Sequence, residues 1–77
     1  MPSAFVLINV EPGAEDTVLK QLRKISTVKE AYVSYGVYDL IIKITAENME
    51  TLKDTVTHKI RAIDLVRSTL TLILTEE

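Results

Sequence analysis

Within five residues, Tyr35, Gly36, Tyr38 and Asp39 bring together two phenols, a carboxylate and a glycine. A carboxylate such as Asp39 holds an ammonium group through charge-assisted hydrogen bonds. Backbone N–H groups around Gly36 can receive a carboxylate, because a residue without a side chain lets a ligand approach the main chain. Tyr35 and Tyr38 are of a size to wall such a site. Those are the parts needed to hold a free α-amino acid. The same residues also make an ordinary hairpin turn, in which the tyrosines pack and Asp39 caps loose N–H groups. Residue types alone leave both readings open.

Other reactive groups are few. There is no cysteine, and His58 is the one histidine. A disulfide, a thiolate metal site, a conventional zinc site and a histidine relay are therefore not expected. The acidic pairs Glu15-Asp16 and Glu76-Glu77 fall in a helix start and a polar tail, as solvated charges rather than an acid/base pair. The Glu11-Pro12-Gly13-Ala14 loop lacks the glycines of a phosphate cradle. Net charge is -2 and the pI is about 5.3, with scattered basic residues and no aromatic ladder. Direct binding to nucleic acid is not expected from that balance. The expectation is thus no catalytic residue, no metal and no cofactor. No apolar run approaches the roughly 20 residues of a membrane span. No basic segment precedes Phe5-Val6-Leu7-Ile8, so the chain reads as cytoplasmic.

The elements that position the turn follow from periodicity. At 77 residues, 47% apolar and 26% charged, residues 1–77 read as one soluble domain. So small a core without disulfides calls for a partner subunit. Strands are predicted over residues 4–10, 29–35, 38–45 and 66–74, from alternating or continuous β-branched and aromatic runs. Helices are predicted over residues 14–25 and from an N-cap at Asn48 onward, with Met49, Leu52, Val56 and Ile60 as the buried stripe of the second. His58 falls on the solvated side or near that helix's end. The order β-α-β-β-α-β builds two right-handed β-α-β units on one sheet. That is the α+β, ferredoxin-like arrangement, an antiparallel four-stranded sheet of order 4-1-3-2 with both helices on one face. The other face is expected to carry Ile41, Ile73 and one side of the first strand, mixed with Thr69, Thr71 and Lys43. Pairing of two sheets would cover it.

Several segments carry a family resemblance that spans essentially the whole chain. They are Ala4-Phe5-Val6-Leu7-Ile8-Asn9-Val10 with Glu11-Pro12-Gly13, then Val28-Lys29-Glu30-Ala31-Tyr32, then Gly36-Val37-Tyr38-Asp39-Leu40, and last Val66-Arg67-Ser68-Thr69-Leu70-Thr71. The chain resembles the effector-binding RAM domain of the Lrp/AsnC (feast/famine) transcription regulators, and the Gly-x-Tyr-Asp turn is the most specific piece. The resemblance implies a domain that dimerises through its sheets, with dimers assembling into octamers or decamers. It implies an amino-acid effector bound between dimers, at Gly36, Tyr38 and Asp39 of one and polar groups of its neighbour, for which Ser68, Thr69 and Thr71 match the family's final strand. The full regulators carry a helix-turn-helix domain that these residues lack. The resemblance is therefore to the stand-alone form, working through mixed assembly with a full-length regulator or by competing for effector.

Two other classes share the topology. A small enzyme of the dimeric α/β-barrel kind would need a reactive group between sheet and helices, where only His58 and the tyrosines could serve. An assembly domain would need no ligand at all. ACT domains also bind amino acids on this topology, but their ligand loop follows the first strand, and Glu11-Pro12-Gly13-Ala14 lacks the polar, glycine-rich character expected there.

Overall fold

The structure, a computed structural model, describes residues 1–74. The polar tail Thr75-Glu76-Glu77, with its acidic pair, lies outside the described residues. The elements are β1 (Ser3–Val10), α1 (Glu15–Arg23), β2 (Val28–Val33), β3 (Leu40–Thr45), α2 (Met49–Asp54), a π-helical continuation of α2 (Thr55–Ile60) and β4 (Val66–Leu74). The sheet order is β2-β3-β1-β4, with every neighbouring pair antiparallel. This is the expected ferredoxin-like topology.

The core lies between the helices and one sheet face. In β1 the alternation is strict: Ala4, Val6, Ile8 and Val10 are buried, and the residues between them are half-exposed. Register places Ala4 beside Ile44, Val6 beside Ile42 and Ile8 beside Leu40, so the buried side chains of the two central strands meet directly. Val18 and Leu22 of α1 close the core, with Leu52 of α2 and Val56 and Ile60 of its continuation. Helix α1 begins one residue later than predicted and ends two earlier, because the N–H groups of Lys24 and Ile25 turn back to the carbonyls of Gln21 and Leu22. Its acidic first turn and basic last turn suit the helix dipole.

Helix α2 starts where predicted. The Asn48 side chain accepts the Thr51 N–H at 2.8 Å. Its second half widens into a π-helix, which the 3.6-residue pattern does not foretell. Thr55, fully buried there, donates to the Thr51 carbonyl at 3.0 Å and shares a 3.1 Å bond with the Thr27 hydroxyl. Met49, expected in the buried stripe, lies in the first turn and is more than a third exposed. His58 is exposed and bonded to Asp54 one turn back at 2.7 Å.

The two faces of β4 are the reverse of the expectation. Thr69, Thr71 and Ile73 sit opposite Ile8, Val6 and Ala4, on the helix side. Leu70, Leu72 and Leu74 sit opposite Leu7, Phe5 and Ser3, on the open side. The open face therefore carries Phe5, Leu7, Ile41, Leu70, Leu72 and Leu74, and the three leucines are 40–47% exposed. Along its β2–β3 edge lie Glu30, Tyr32 and Lys43, with Lys43 6.0 Å from the Phe5 ring centre.

Candidate functional site

The site is built where three elements end together. Strand β2 leaves the sheet after Val33 and β3 enters at Leu40, so residues 34–39 form the connection. Both strands are shorter here than predicted: Tyr35 and Tyr38 have strand-forming side chains but lie in the turn. The Ser34 N–H closes the loop on the Asp39 carbonyl at 2.8 Å. Gly36 has φ +142°, a conformation side chains other than glycine's resist.

Asp39 ties this turn to β1. Its N–H donates to the Ile8 carbonyl at 3.0 Å, and its Oδ2 accepts the Val10 N–H at 2.9 Å. The β1–β3 ladder ends at the pair Ile8–Leu40. The carboxylate thus supplies the acceptor for Val10 that β3 no longer reaches. The same end of β1 carries a register shift against β4 between Asn9 and Val10. Beyond it, the Glu11 N–H donates to the carbonyl of Leu65, whose φ of +79° turns the chain into β4.

That capping bond uses one carboxylate oxygen. Among the described residues Oδ1 has no hydrogen-bond partner, and the N–H groups of Tyr35, Gly36, Val37 and Tyr38 donate to no protein acceptor. Tyr35 is 96% exposed and Val37 82% exposed, so neither packs on its own chain. Tyr38 is half-buried.

Two hollows meet at Asp39. One, of about 600 Å³, has Ser34, Tyr35 and Gly36 on the turn side and Glu15 and Asp16 of α1 across from them. The other, of about 420 Å³, is lined by Asn9, Val10, Val37, Asp39, Arg67 and Ser68. The second sets a guanidinium and a carboxylate on the wall of one cavity. Arg67 Nε is 3.9 Å from Glu11 Oε1, a loose pair, and Asn9 Nδ2 is 3.4 Å from Ser68 Oγ.

Of the residues singled out in the sequence, Tyr35, Gly36 and Asp39 share the first hollow, and Asp39 and Ser68 share the second. Tyr38 lies in the same turn but lines neither. Thr69 and Thr71 are not brought to Asp39 within one protomer: Thr69 lines a hollow with Arg61, and Thr71 an apolar groove with Leu52, Val56 and Ile73. Sequence reasoning missed Arg67 and Asn9. The available signal was Arg67 beside Ser68 in the final-strand segment. What brings both to Asp39 is the register shift.

The family model of the Lrp/AsnC ligand binding domain matches residues 3–77. This chain belongs to the Lrp/AsnC family. It is 34% identical over 74 residues to an uncharacterised HTH-type transcriptional regulator of Pyrococcus furiosus, an alignment covering 92% of this chain and 49% of that protein. The Lrp/AsnC chain thus spans about half the length of the curated relatives it matches. A hypothetical protein from Pyrococcus horikoshii has a crystal structure that superposes with a TM-score of 0.93 at 39% identity, covering 100% of this chain and 93% of that one. A transcriptional regulator from Neisseria meningitidis, solved as a complex with L-Met, shares the fold at a TM-score of 0.87 and 15% identity, with 99% and 51% covered. Among the described residues of this Lrp/AsnC domain, no helix is long and apolar enough to cross a membrane.

Proposed function

We propose that this domain is an amino-acid effector module. It binds its ligand at the 34–39 turn, assembles through the open sheet face, and acts on transcription or amino-acid metabolism through a full-length Lrp/AsnC regulator. One observation carries the reading. The unpartnered Oδ1 of Asp39, the loosely held guanidinium of Arg67 and four free turn N–H groups stand at one end of the sheet. A free amino acid presents the complementary pair, an ammonium and a carboxylate, at fixed separation. The family description as a ligand binding domain and the L-Met complex of the Neisseria relative support the same class of ligand.

Tyr35 and Val37 stand out from the domain and are placed to touch a neighbouring copy. In that arrangement a second protomer offers Ser68, Thr69 and Thr71 toward the turn, and rings of eight or ten subunits are the expected closed forms. We assign no enzymatic step to this site; the Glu15 and Asp16 carboxylates that share a hollow with Asp39 lie in the first turn of α1. Nor is DNA bound by these residues, whose charge is net negative. A gel shift at physiological salt is expected to show no complex, and a tight one would contradict this part.

The test is a thermal-shift screen of the common amino acids followed by calorimetry. A ligand at 100 times its Kd adds roughly 2.7 kcal/mol. Asp39→Asn keeps an oxygen for Val10 but loses the charge. It is expected to melt close to the parent while binding about thirtyfold to several thousandfold more weakly, about 2–5 kcal/mol for an ammonium partner in a partly dry contact. Asp39→Ala also orphans the Val10 N–H and should lose a further ~1–3 kcal/mol of stability. A second reading, an assembly domain without ligand, has its own observation: Asp39 already serves Val10. It prevails if no amino acid raises the melting temperature, or if affinity survives in Asp39→Asn.

A further inference from the structure

We propose that the groove between α2 and β4 is a second small-molecule site, one that takes an aliphatic carboxylate rather than an amino acid. Its walls are Leu52 and Lys53 of α2, Val56 and Thr57 of the π-helical continuation, and Thr71 and Ile73 of β4, around about 220 Å³. The six residues come from two facing surfaces. Leu52 stacks under Val56 and Lys53 under Thr57, one turn on along the helix. Thr71 and Ile73 share the β4 face turned toward that helix.

The groove follows from the way β4 is turned. Its leucines point outward, so Thr71 stands where a larger side chain would have closed the core. The gap is floored by Leu52 and Val56, both buried, and opens past the exposed Ile73. Its polar rim has one sign of charge. Lys53 makes no ion pair among the described residues, and Asp54 beside it is taken up by His58. The Thr57 and Thr71 hydroxyls have no hydrogen-bond partner there either. No carboxylate lines the groove. A lysine stem commonly lies over apolar surface with its charge in water. That accounts for Lys53 but not for the unfilled space beside it.

These parts select the ligand. At about 30 Å³ per water, 220 Å³ is room for roughly seven waters, close to the heavy-atom count of a five- or six-carbon carboxylate. The tail displaces water from Leu52, Val56 and Ile73. The carboxylate meets one ammonium and two hydroxyl donors. The α-ammonium of an amino acid would instead stand beside Lys53 with no carboxylate to receive it. The groove therefore rejects the zwitterion that the Asp39 turn suits. Thr71, which the proposed ring also offers to a neighbour's turn, is the one residue common to both sites, so the charge test falls on Lys53.

The probe is 4-methylpentanoate, which has the branched tail of leucine without its ammonium. It is titrated into the intact, assembled chain at fixed ionic strength and followed by the methyl NMR signals of Leu52, Val56 and Ile73. Saturable shifts are expected, with leucine and acetate each at least tenfold weaker at these signals. The uncharged 4-methylpentanamide should bind three- to tenfold more weakly than the acid. Lys53→Gln, an exposed change that leaves the fold intact, should abolish that difference. Ile73→Ala removes a wall and should weaken acid and amide alike. Asp39→Asn should leave 4-methylpentanoate binding unchanged even where it abolishes amino-acid binding, so the two sites fail separately. Non-saturating shifts overturn the proposal, as does leucine that binds the groove as tightly as the acid, or an acid-over-amide preference that survives Lys53→Gln. Loss of binding in Asp39→Asn would put the probe at the turn, and shifts confined to Leu70, Leu72 and Leu74 would put it on the open face; either result also overturns it.

Discussion

Asp39 uses its N–H, its carbonyl and one carboxylate oxygen to hold three strand ends together, and keeps the other oxygen free. The same side chain thus meets both readings open in the sequence, as a cap and as a candidate anchor. Neither role precludes the other, because a carboxylate accepts several hydrogen bonds. Tyr32 shows a simpler coupling on the open face. Its hydroxyl donates to Glu30 Oε1 at 2.6 Å. That bond first, and the carboxylate's charge second, hold the phenol above its ordinary value of 10.0. The bond belongs to the protonated phenol. Its contribution is therefore complete below about pH 10 and is lost as pH rises through the elevated value. Glu30→Gln is expected to bring the Tyr32 midpoint back down toward the ordinary value in an ultraviolet titration of tyrosinate; an unmoved midpoint would assign the shift elsewhere.

At the scale of elements, the Asn48 cap is a test of how much α2 relies on local signals. The helix proper is six residues long before it widens, so its first turn is a large share of it. Asn48→Ala is expected to lower stability by about 1 kcal/mol in urea unfolding. A neutral result would mean that packing of Leu52, Val56 and Ile60 holds the helix unaided. This cap, the β1 and β3 alternation and the acidic-to-basic order of α1 were legible because each is written in adjacent residues. The π-helix was not, since its cause is tertiary: Thr55 meets Thr27, far away in sequence. The turn was read too short because Tyr35 and Tyr38 have β-propensity, while the ladder ends are set by Asp39 and β1. The faces of β4 were reversed for a plain physical reason. Period two shows which residues share a face but not which face is inside, and here the more apolar set, Leu70, Leu72 and Leu74, faces outward. The candidate site was half legible. Its turn is contiguous, but Arg67 and Asn9 reach Asp39 only through the register shift.

For the whole molecule, that outward apolar face is the dominant feature. A standard interface covers about 800 Å² per partner, roughly a sixth of this chain's 5011 Å² surface, and the face formed by Phe5, Leu7, Ile41 and the three leucines is the apolar region suited to it. Leu72→Lys puts a charge at its centre and is expected to yield a smaller species by light scattering. Ile73→Lys, one residue on but on the helix side, should leave the assembly as it is. If both behave alike, the open face is not where the subunits meet. The edge position of β4 has a further consequence, for what befalls a chain that has lost its neighbours. Residues 68–74 carry no charge and no proline, alternate threonine with leucine from Thr69 to Leu72, and end one side of the sheet with an unpaired backbone. Such a segment is a template for cross-β stacking once it is bare on both its edge and its face. In the proposed assembly, dilution or a broken contact would bare β4 on both edge and face, and pairing of the sheets would then double as protection against amyloid.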